Sequence, residues 1–258
     1  MPHLLDEGIA EHRKAIRIKE DYAEAHCDLG NALLQKGLFR ESIKELRRGD
    51  ELGARDPRWH YPSAQWLRKA QQLAALDDRL PAVLEGKDQP KDAAECVGFA
   101  KLCEHYRRYR QHYAAAVRFY EKAFEAERTS AEDVRAGHRY DAACAAALAG
   151  CGQGTDADKL DAKERARLRK KALDWLRADL DAWGRLLHKE PDKARPVVVK
   201  LMRHWHGDTD FSGVRGPQAL SQLPEAERKL WQKLWDDVAN MLARVQGKMT
   251  PEKMAGAK

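Results

Sequence analysis

Apolar positions recur every three or four residues through much of the chain, most clearly over 23–52. Leu29 and Leu33 fall on one face of a first helix, and Leu46 falls on the apolar face of a second. Gly37 lies between them and supplies the backbone freedom that ends the first helix. The pattern predicts two short amphipathic helices whose apolar faces meet.

A step of 34 residues relates this pair of helices to the segment before it. It takes Glu41-Ser42-Ile43 to Glu7-Gly8-Ile9, Gly49 to Ala15, and Leu52 to Ile18. Residues 6–19 are therefore expected to be the second helix of a repeat whose first helix is missing. Either the N-terminus was cut from something longer, or the apolar stripe of this half-repeat, which includes Ile9, Ile16 and Ile18, caps the repeats. Left uncovered, this stripe is a surface for self-association. The alternative interpretation is an ordinary helical hairpin, because any such hairpin needs small and apolar residues at these spacings.

Helix-breaking prolines divide the rest of the chain into segments. Pro57 and Pro62 interrupt the helical pattern after residue 52, and Pro90 does so again. A helix is expected over 63–77, with a short turn or helix at 80–86. A further helix is expected over 131–150, and an ordered turn or loop over 206–223. The expected segments are repeats over 1–52, a helical connector over 53–91, degenerate hairpins over 92–190, a helical cap over 191–245 and a disordered tail over 246–258.

Composition favours the same all-α fold. Charged residues make up 34% and hydrophobic residues 43% of the 258 residues, with few β-branched runs. No apolar run approaches the roughly 20 residues that span a bilayer, and the N-terminus lacks the pattern of a secretion signal. We therefore expect a cytoplasmic protein. The five cysteines form no CxxC pair and are expected to be reduced and structural.

The first helix of the pair carries Leu29-Gly30-Asn31, and the second carries Glu41-Ser42-Ile43 and then Gly49. This arrangement resembles a tetratricopeptide repeat (TPR). His26 stands where the family usually has Trp, and Ser42 and Gly49 stand where it usually has Ala. The resemblance implies an α-solenoid of helical hairpins, closed by a C-terminal helical cap, with a concave groove lined by first helices.

Longer phrases follow: Asp56-Pro57-Arg58-Trp59, Leu80-Pro81-Ala82-Val83-Leu84, Gly137–Ala147, Gly150–Gly154 and Ala172–Leu180. They resemble the C-terminal extension of TPR-bearing serine/threonine protein kinases of planctomycete bacteria. The chain has no glycine-rich phosphate loop, VAIK-like strand, HRD loop or DFG triplet, so the resemblance carries over no enzymatic role. The chain is expected to be a stand-alone remnant or a segment of such a protein.

The functional hypothesis is a non-catalytic scaffold that binds a peptide or partner protein in the groove, as a regulatory or substrate-recruiting part of a kinase system. The candidate partner-binding residues are polar positions expected on first helices: His26, Asn31, Gln35, Glu104, Arg107, Arg135 and Arg139. Asn31 and the arginines would hold a peptide backbone or an acidic side chain. No cofactor, metal or catalytic residue is predicted.

The alternative function is a nucleic-acid-binding helical repeat protein that uses its basic helix faces. Basic residues cluster at 163–171 and at 107–110, where a tyrosine is interleaved. The formal charge is only +6, and acidic residues are scattered throughout. A protein partner is therefore favoured over nucleic acid.

Two further stretches invite an ion-binding interpretation. The first is the glycine-rich stretch Gly150–Gly154, followed by Asp156, Asp158 and Asp161; its spacing fits neither an EF-hand nor a P-loop, so a solvated insertion is favoured. The second is His204-Trp205-His206, with Asp208 and Asp210 nearby. Neighbouring helical residues point about 100° apart, so the two histidines converge only if the helix ends between them. An aromatic-packed helix end is favoured there.

Overall fold

The structure, a computed structural model, describes residues 2–105 and 111–247. Helices dominate this part of the chain and no strand occurs in it, which confirms the expected all-α fold. The chain divides into two compact units, 1–110 and 111–258, which are described separately. Within the described ranges, none of the helices has both the length and the apolar character needed to cross a membrane. The tail beyond Gly247 lies outside the described residues.

The first unit is a series of helices that pack on their neighbours in sequence. They are α1 (Pro2–Ile18), α2 (Ala23–Gln35), α3 (Phe39–Gly53), α4 (Ser63–Leu84) and α5 (Ala93–His105). The most extensive contact joins α2 to α3, and α1 packs on α2. The first unit is thus a stack of helical hairpins of the expected kind.

The close approach of α2 and α3 depends on small residues. A Cβ added to Gly30 would lie 2.6 Å from Cγ of Leu46, so only glycine fits at this crossing. The buried Ser42 hydroxyl donates a 2.7 Å hydrogen bond to the Gly30 carbonyl. Gly37, with φ of 75°, follows α2 in the left-handed conformation that favours glycine.

The N-terminal helix α1 covers the apolar face of α2. Ile9 is buried with Leu29 and Leu33, and Ile16 packs partly against this cluster. Ile18, in contrast, is 80% exposed. Most of the stripe therefore caps the hairpin, and self-association through its exposed end stays a proposal.

The expected break near Leu80-Pro81 is wrong, because α4 is one helix through Leu84. Proline removes one backbone donor and usually disrupts a helix interior. Here Pro81 lies near the helix end, and the adjacent turns are held by Leu80, which has no exposed surface, and by buried Val83. Side-chain burial thus outweighs the lost hydrogen bond.

The second unit is built around an alanine-rich helix. Its helices are α6 (Tyr113–Ala126), α7 (Arg128–Glu132), α8 (His138–Gly150), α9 (Ala162–Lys189), α10 (Pro191–Gly207), α11 (Pro217–Ser221) and α12 (Glu225–Val245). Every residue of α8 from Ala142 to Gly150 is buried, and α8 packs on α6 and α9. Small side chains let neighbouring helices approach α8 closely, so this helix forms the core of the unit.

Two expectations for the second unit need correction. The single helix expected over 131–150 is divided into α7 and α8, because Gly137 adopts a φ of 75° immediately before α8. The ordered turn or loop expected over 206–223 contains a 3₁₀ helix, Thr209–Val214, and α11. Phe211 and Val214 of this segment are fully buried, which explains why it is ordered.

Candidate protein-binding groove

A groove of about 700 Å³ lies in the first unit between α1 and α3. Three helices contribute its lining: Arg13, Ile16 and Arg17 from α1, His26 and Leu29 from α2, and Arg40, Ile43, Lys44, Glu45, Arg47, Arg48 and Glu51 from α3. Helices α1 and α3 form the walls, and the aliphatic residues Ile16, Leu29 and Ile43 form the floor. Pockets of this volume are large enough for a peptide side chain or a small ligand.

The walls follow from helical spacing. On α3, Arg40, Lys44 and Arg48 recur every four residues and so share one face. Arg13 and Arg17 have the same spacing on α1. From Arg40 to Glu51 the α3 wall is about 16 Å long at the helical rise per residue.

The floor is apolar. Leu29 is 3% exposed and belongs to the core under α1, while Ile16 and Ile43 are half-buried. Their partial exposure at the groove leaves aliphatic surface accessible to a bound chain. An apolar floor between charged walls is typical of a protein-binding groove rather than of a purely solvated surface.

His26 reaches this groove from α2, but its ring is engaged within the fold. Its Nδ1 lies 2.7 Å from Glu45 Oε2, and its Nε2 lies 3.1 Å from the Glu20 carbonyl oxygen. Both neighbouring groups are acceptors, so both contacts are satisfied when the ring donates from both nitrogens. The side chain is 7% exposed overall and fixes the position of Glu45 in the lining.

Asn31 and Gln35 lie on another part of α2. The polar residues of this helix that are not buried form a single stripe that we call the α2 stripe: Glu24, Asp28, Asn31 and Gln35. None of the four lines the groove. The stripe carries two carboxylates, whereas the groove walls carry mainly cations.

The structure does not bring the seven predicted residues into one described site. Glu104 is 7% exposed within α5, and Arg107 lies outside the described residues. In the second unit, Arg135 is exposed and lies 3.6 Å from Glu190. Arg139 is paired with buried Asp179. Of the predicted residues that the structure describes, only His26 lines the groove.

The loop that contains the glycine-rich stretch after α8 is exposed in part and is anchored by two of its carboxylates. Asp156 is buried and accepts the backbone N–H groups of Ala114 and Ala115 at 3.3 and 2.9 Å, so it caps the start of α6. Asp161 accepts the Glu164 N–H and caps α9. Backbone donors of the chain itself therefore occupy these carboxylates.

The histidines of the second ion-binding hypothesis lie on one helix, since α10 continues to Gly207. His204 Nε2 lies 3.4 Å from Asp208 Oδ2, which also accepts the Tyr140 hydroxyl at 2.6 Å. Near them, single ligand atoms of Cys144, Asp208 and Asp210 lie within 4.8 Å of one another. Tyr140 stacks on Trp205, so this helix end is packed against aromatic rings.

The basic stretch 163–171 is largely neutralised within the second unit. Four of its cations form ion pairs: Arg167 with Glu121 and Glu164, Arg169 with Glu227, Lys170 with Asp174, and Lys171 with Glu121. Arg165 donates a hydrogen bond to the Ala157 carbonyl. A phosphate backbone would have to compete with these carboxylates. The other basic stretch, 107–110, lies outside the described residues.

The sequence signal for the groove lies in its basic residues and not in its small and apolar positions. The 34-residue step takes Arg47 to Arg13, and both residues line the groove, so a lining cation recurs with the repeat. Because both residues lie outside the expected first helices, an expectation centred on first helices misses them.

Comparison with known proteins supports a repeat at this position. The family model described as TPR repeat matches residues 5–37, from α1 through α2 to Gly37. No curated protein shows significant similarity to the chain. TPR repeats generally mediate protein–protein interactions. The hairpin stack that forms the α1–α3 groove is therefore similar to a TPR repeat over α1 and α2.

Proposed function

We propose that the chain is a non-catalytic protein-interaction module that binds a segment of a partner protein in the α1–α3 groove. The observation that carries this proposal is the open groove of about 700 Å³ on the helices that include the TPR-like stretch. Its half-buried aliphatic floor offers surface that a bound chain would remove from water.

The α2 stripe is the second surface of the proposal. Asn31 and Gln35 are accessible there and would hydrogen-bond to a peptide backbone, as expected for a first helix. The groove is the stronger candidate because it combines a cavity with apolar floor and charged walls. Arg135 keeps a role in partner binding in this proposal, since its side chain is 64% exposed.

The wider setting is proposed from the sequence. The phrases after residue 53 resemble extensions of bacterial serine/threonine kinases, so we propose a regulatory or substrate-recruiting role in such a system. We propose a cytoplasmic location, because all five cysteines are free thiols and thiols persist in a reducing compartment.

Site-specific photo-crosslinking tests the proposed function. A benzophenone amino acid at Lys44, in the groove, is compared with the same amino acid at Lys69, an exposed position of α4 outside it. In cells that naturally produce the chain, a discrete protein adduct is expected from position 44 and not from position 69. Equal adducts from both positions, or none from position 44, would refute binding in the groove.

A further inference from the structure

We propose that the segment bound in the α1–α3 groove is acidic and amphipathic, with aliphatic side chains that face the floor and carboxylates that face both walls. This inference rests on the proposed function, because it names the partner chemistry of the same site. It follows from the charge of the walls, the nature of the floor and the opposite charge of the α2 stripe.

Cations outnumber carboxylates in the groove lining. Arg13 and Arg17 stand on the α1 wall, and Arg40, Lys44, Arg47 and Arg48 stand on the α3 wall. Glu45 and Glu51 are the carboxylates among the lining residues, and Glu45 is already engaged by His26. Positive side chains thus face the groove from both sides.

Few of these cations are compensated by the fold. Arg13 pairs with Glu41, and Arg40 pairs with Asp78, both in exposed positions. Within the described residues, Arg17, Lys44, Arg47 and Arg48 form no ion pair. Exposed pairs contribute little stability, so an incoming carboxylate can replace them at small cost. Four unpaired cations around one cavity create a positive potential that attracts an anionic segment.

The floor distinguishes a protein segment from a nucleic acid. Ile16, Leu29 and Ile43 are aliphatic, and among the residues that the structure describes the lining includes no Phe, Tyr or Trp on which a base would stack. Among the described lining residues the one aromatic ring is that of His26, whose two nitrogens are engaged by Glu45 and by the Glu20 carbonyl. Aliphatic side chains of a partner would gain from burial on this floor, whereas a sugar–phosphate backbone would not.

The charge of the α2 stripe favours the groove over the stripe as the binding surface for an acidic segment. Glu24 and Asp28 make this stripe acidic, so an acidic segment is repelled from it and attracted to the groove. Glu24 and Asp28 are four residues apart on α2 and therefore share one face of the helix. Charge thus directs an acidic segment away from the α2 stripe.

Fluorescence anisotropy with designed peptides and the full chain tests this inference. The first labelled peptide carries leucine at helical spacing of three and four, with glutamate elsewhere. In the second, lysine replaces every glutamate; in the third, serine replaces every leucine. We expect the first peptide to bind at least about tenfold more tightly than either other peptide, and to weaken with rising salt.

Matched charge reversals assign the binding to the groove. Arg47→Glu/Arg48→Glu is expected to weaken the first peptide by about tenfold or more. Arg68→Glu/Lys69→Glu makes the same charge change at two exposed neighbours on α4 and is expected to stay within about twofold. Ile43→Ser is expected to weaken the peptide without changing the net charge. Circular dichroism confirms that each variant is folded.

Several outcomes would overturn the inference. These are equal binding of the lysine peptide, an unchanged affinity in Arg47→Glu/Arg48→Glu, or tighter binding of a single-stranded oligonucleotide that Ile43→Ser does not affect. If the Lys44 crosslink persists while the acidic peptide fails to bind, the site stands and the partner chemistry is wrong. If both fail, the proposed function itself is wrong.

Discussion

Arg139 Nε donates a 2.6 Å hydrogen bond to Asp179 Oδ1 and joins α8 to α9 inside the second unit. The two side chains are 11% and 3% exposed. Burial raises the pKa of Asp179 to about 6, although the Arg139 charge acts in the opposite direction. The guanidinium therefore neutralises a carboxylate that would otherwise be unpaired in the core.

Arg139→Ala should destabilise the protein by about 3 kcal/mol at pH 7.5, because it leaves a buried charge without its partner. The loss should be smaller at pH 5. A raised native pKa means that the native state binds more protons than the unfolded state between the two pKa values, so stability falls as pH rises through that window. Removing Arg139 raises the native pKa further and extends the window upward. Urea unfolding followed by tryptophan fluorescence at both pH values measures this.

Arg185→Ala is the control for the change, since Arg185 is exposed on α9. It should alter stability by less than about 0.5 kcal/mol at either pH. Adding Asp179→Asn to Arg139→Ala should recover part of the loss at pH 7.5, because the carboxylate is then gone. An equal loss at pH 5 and pH 7.5 would show that the buried charge is not its cause.

Gly49 on α3 faces Cys27 on α2 so closely that a side chain cannot be added without movement. A Cβ at Gly49 would lie 2.5 Å from Cys27 Sγ and 3.0 Å from the Ala23 carbonyl oxygen. Gly49→Ala should therefore cost about 1–3 kcal/mol, despite the better helix propensity of alanine. In a Cys27→Ala background, which lacks the sulfur, the cost should fall by at least about 0.5 kcal/mol. A double-mutant cycle of unfolding free energies measures the coupling.

Gly8→Ala on α1 provides the opposite control. A Cβ at Gly8 would meet nothing within 4 Å, so helix propensity alone should stabilise this variant by up to about 1 kcal/mol. If Gly49→Ala were also stabilising, or if Cys27→Ala left its cost unchanged, the proposed crowding at this helix crossing would be wrong.

The repeat pattern sufficed to predict the helical hairpin. Leu29, Leu33 and Leu46 are buried as their spacing requires, and Gly37 ends α2. Local patterns were less informative where tertiary packing decides. Pro81 predicts a break, yet burial of Leu80 keeps α4 continuous. The local sequence does not show that this burial outweighs the hydrogen bond lost at the proline.

The candidate site could be predicted only in part. His26 was identified from its helical face, but the walls of the groove come from α1 and α3, which both pack on α2. Arg139 is a candidate for partner binding in the sequence because the sequence does not show its ion pair with Asp179, which lies 40 residues away along the chain. Partners distant in sequence decide whether a polar side chain is free.

Arg79 should hold the connector between α4 and α5. It donates from Nε to Asp88 at 2.8 Å, from Nη1 to Glu95 at 2.8 Å and from Nη2 to the Gln89 carbonyl at 2.9 Å. Arg79→Ala removes all of these donors at once, so amide hydrogen exchange over 85–92 should accelerate. Arg79→Lys, which cannot reproduce the planar fork, should give an intermediate rate. Unchanged exchange in Arg79→Ala, with Arg68→Ala as the control, would mean that the connector is held by other contacts.

Asp156 should stabilise α6 from a loop that lies far along the chain. The first N–H groups of a helix have no partner within it, and here both oxygens of one carboxylate accept two of them, those of Ala114 and Ala115. Asp156→Ala should therefore cost about 1–2 kcal/mol, the usual loss of a helix cap, and expose the amides of the first turn of α6 to exchange.

Asp158→Ala is the matched control, because Asp158 is exposed in the same loop. Asp156→Asn keeps one acceptor oxygen but loses the negative charge at the helix N-terminus, so its cost should fall between those of the two alanine variants. If Asp156 instead held a cation, added calcium would stabilise the wild type and would not stabilise Asp156→Ala. Because both carboxylate oxygens already accept backbone donors, we expect calcium to leave the unfolding midpoint of the wild type unchanged.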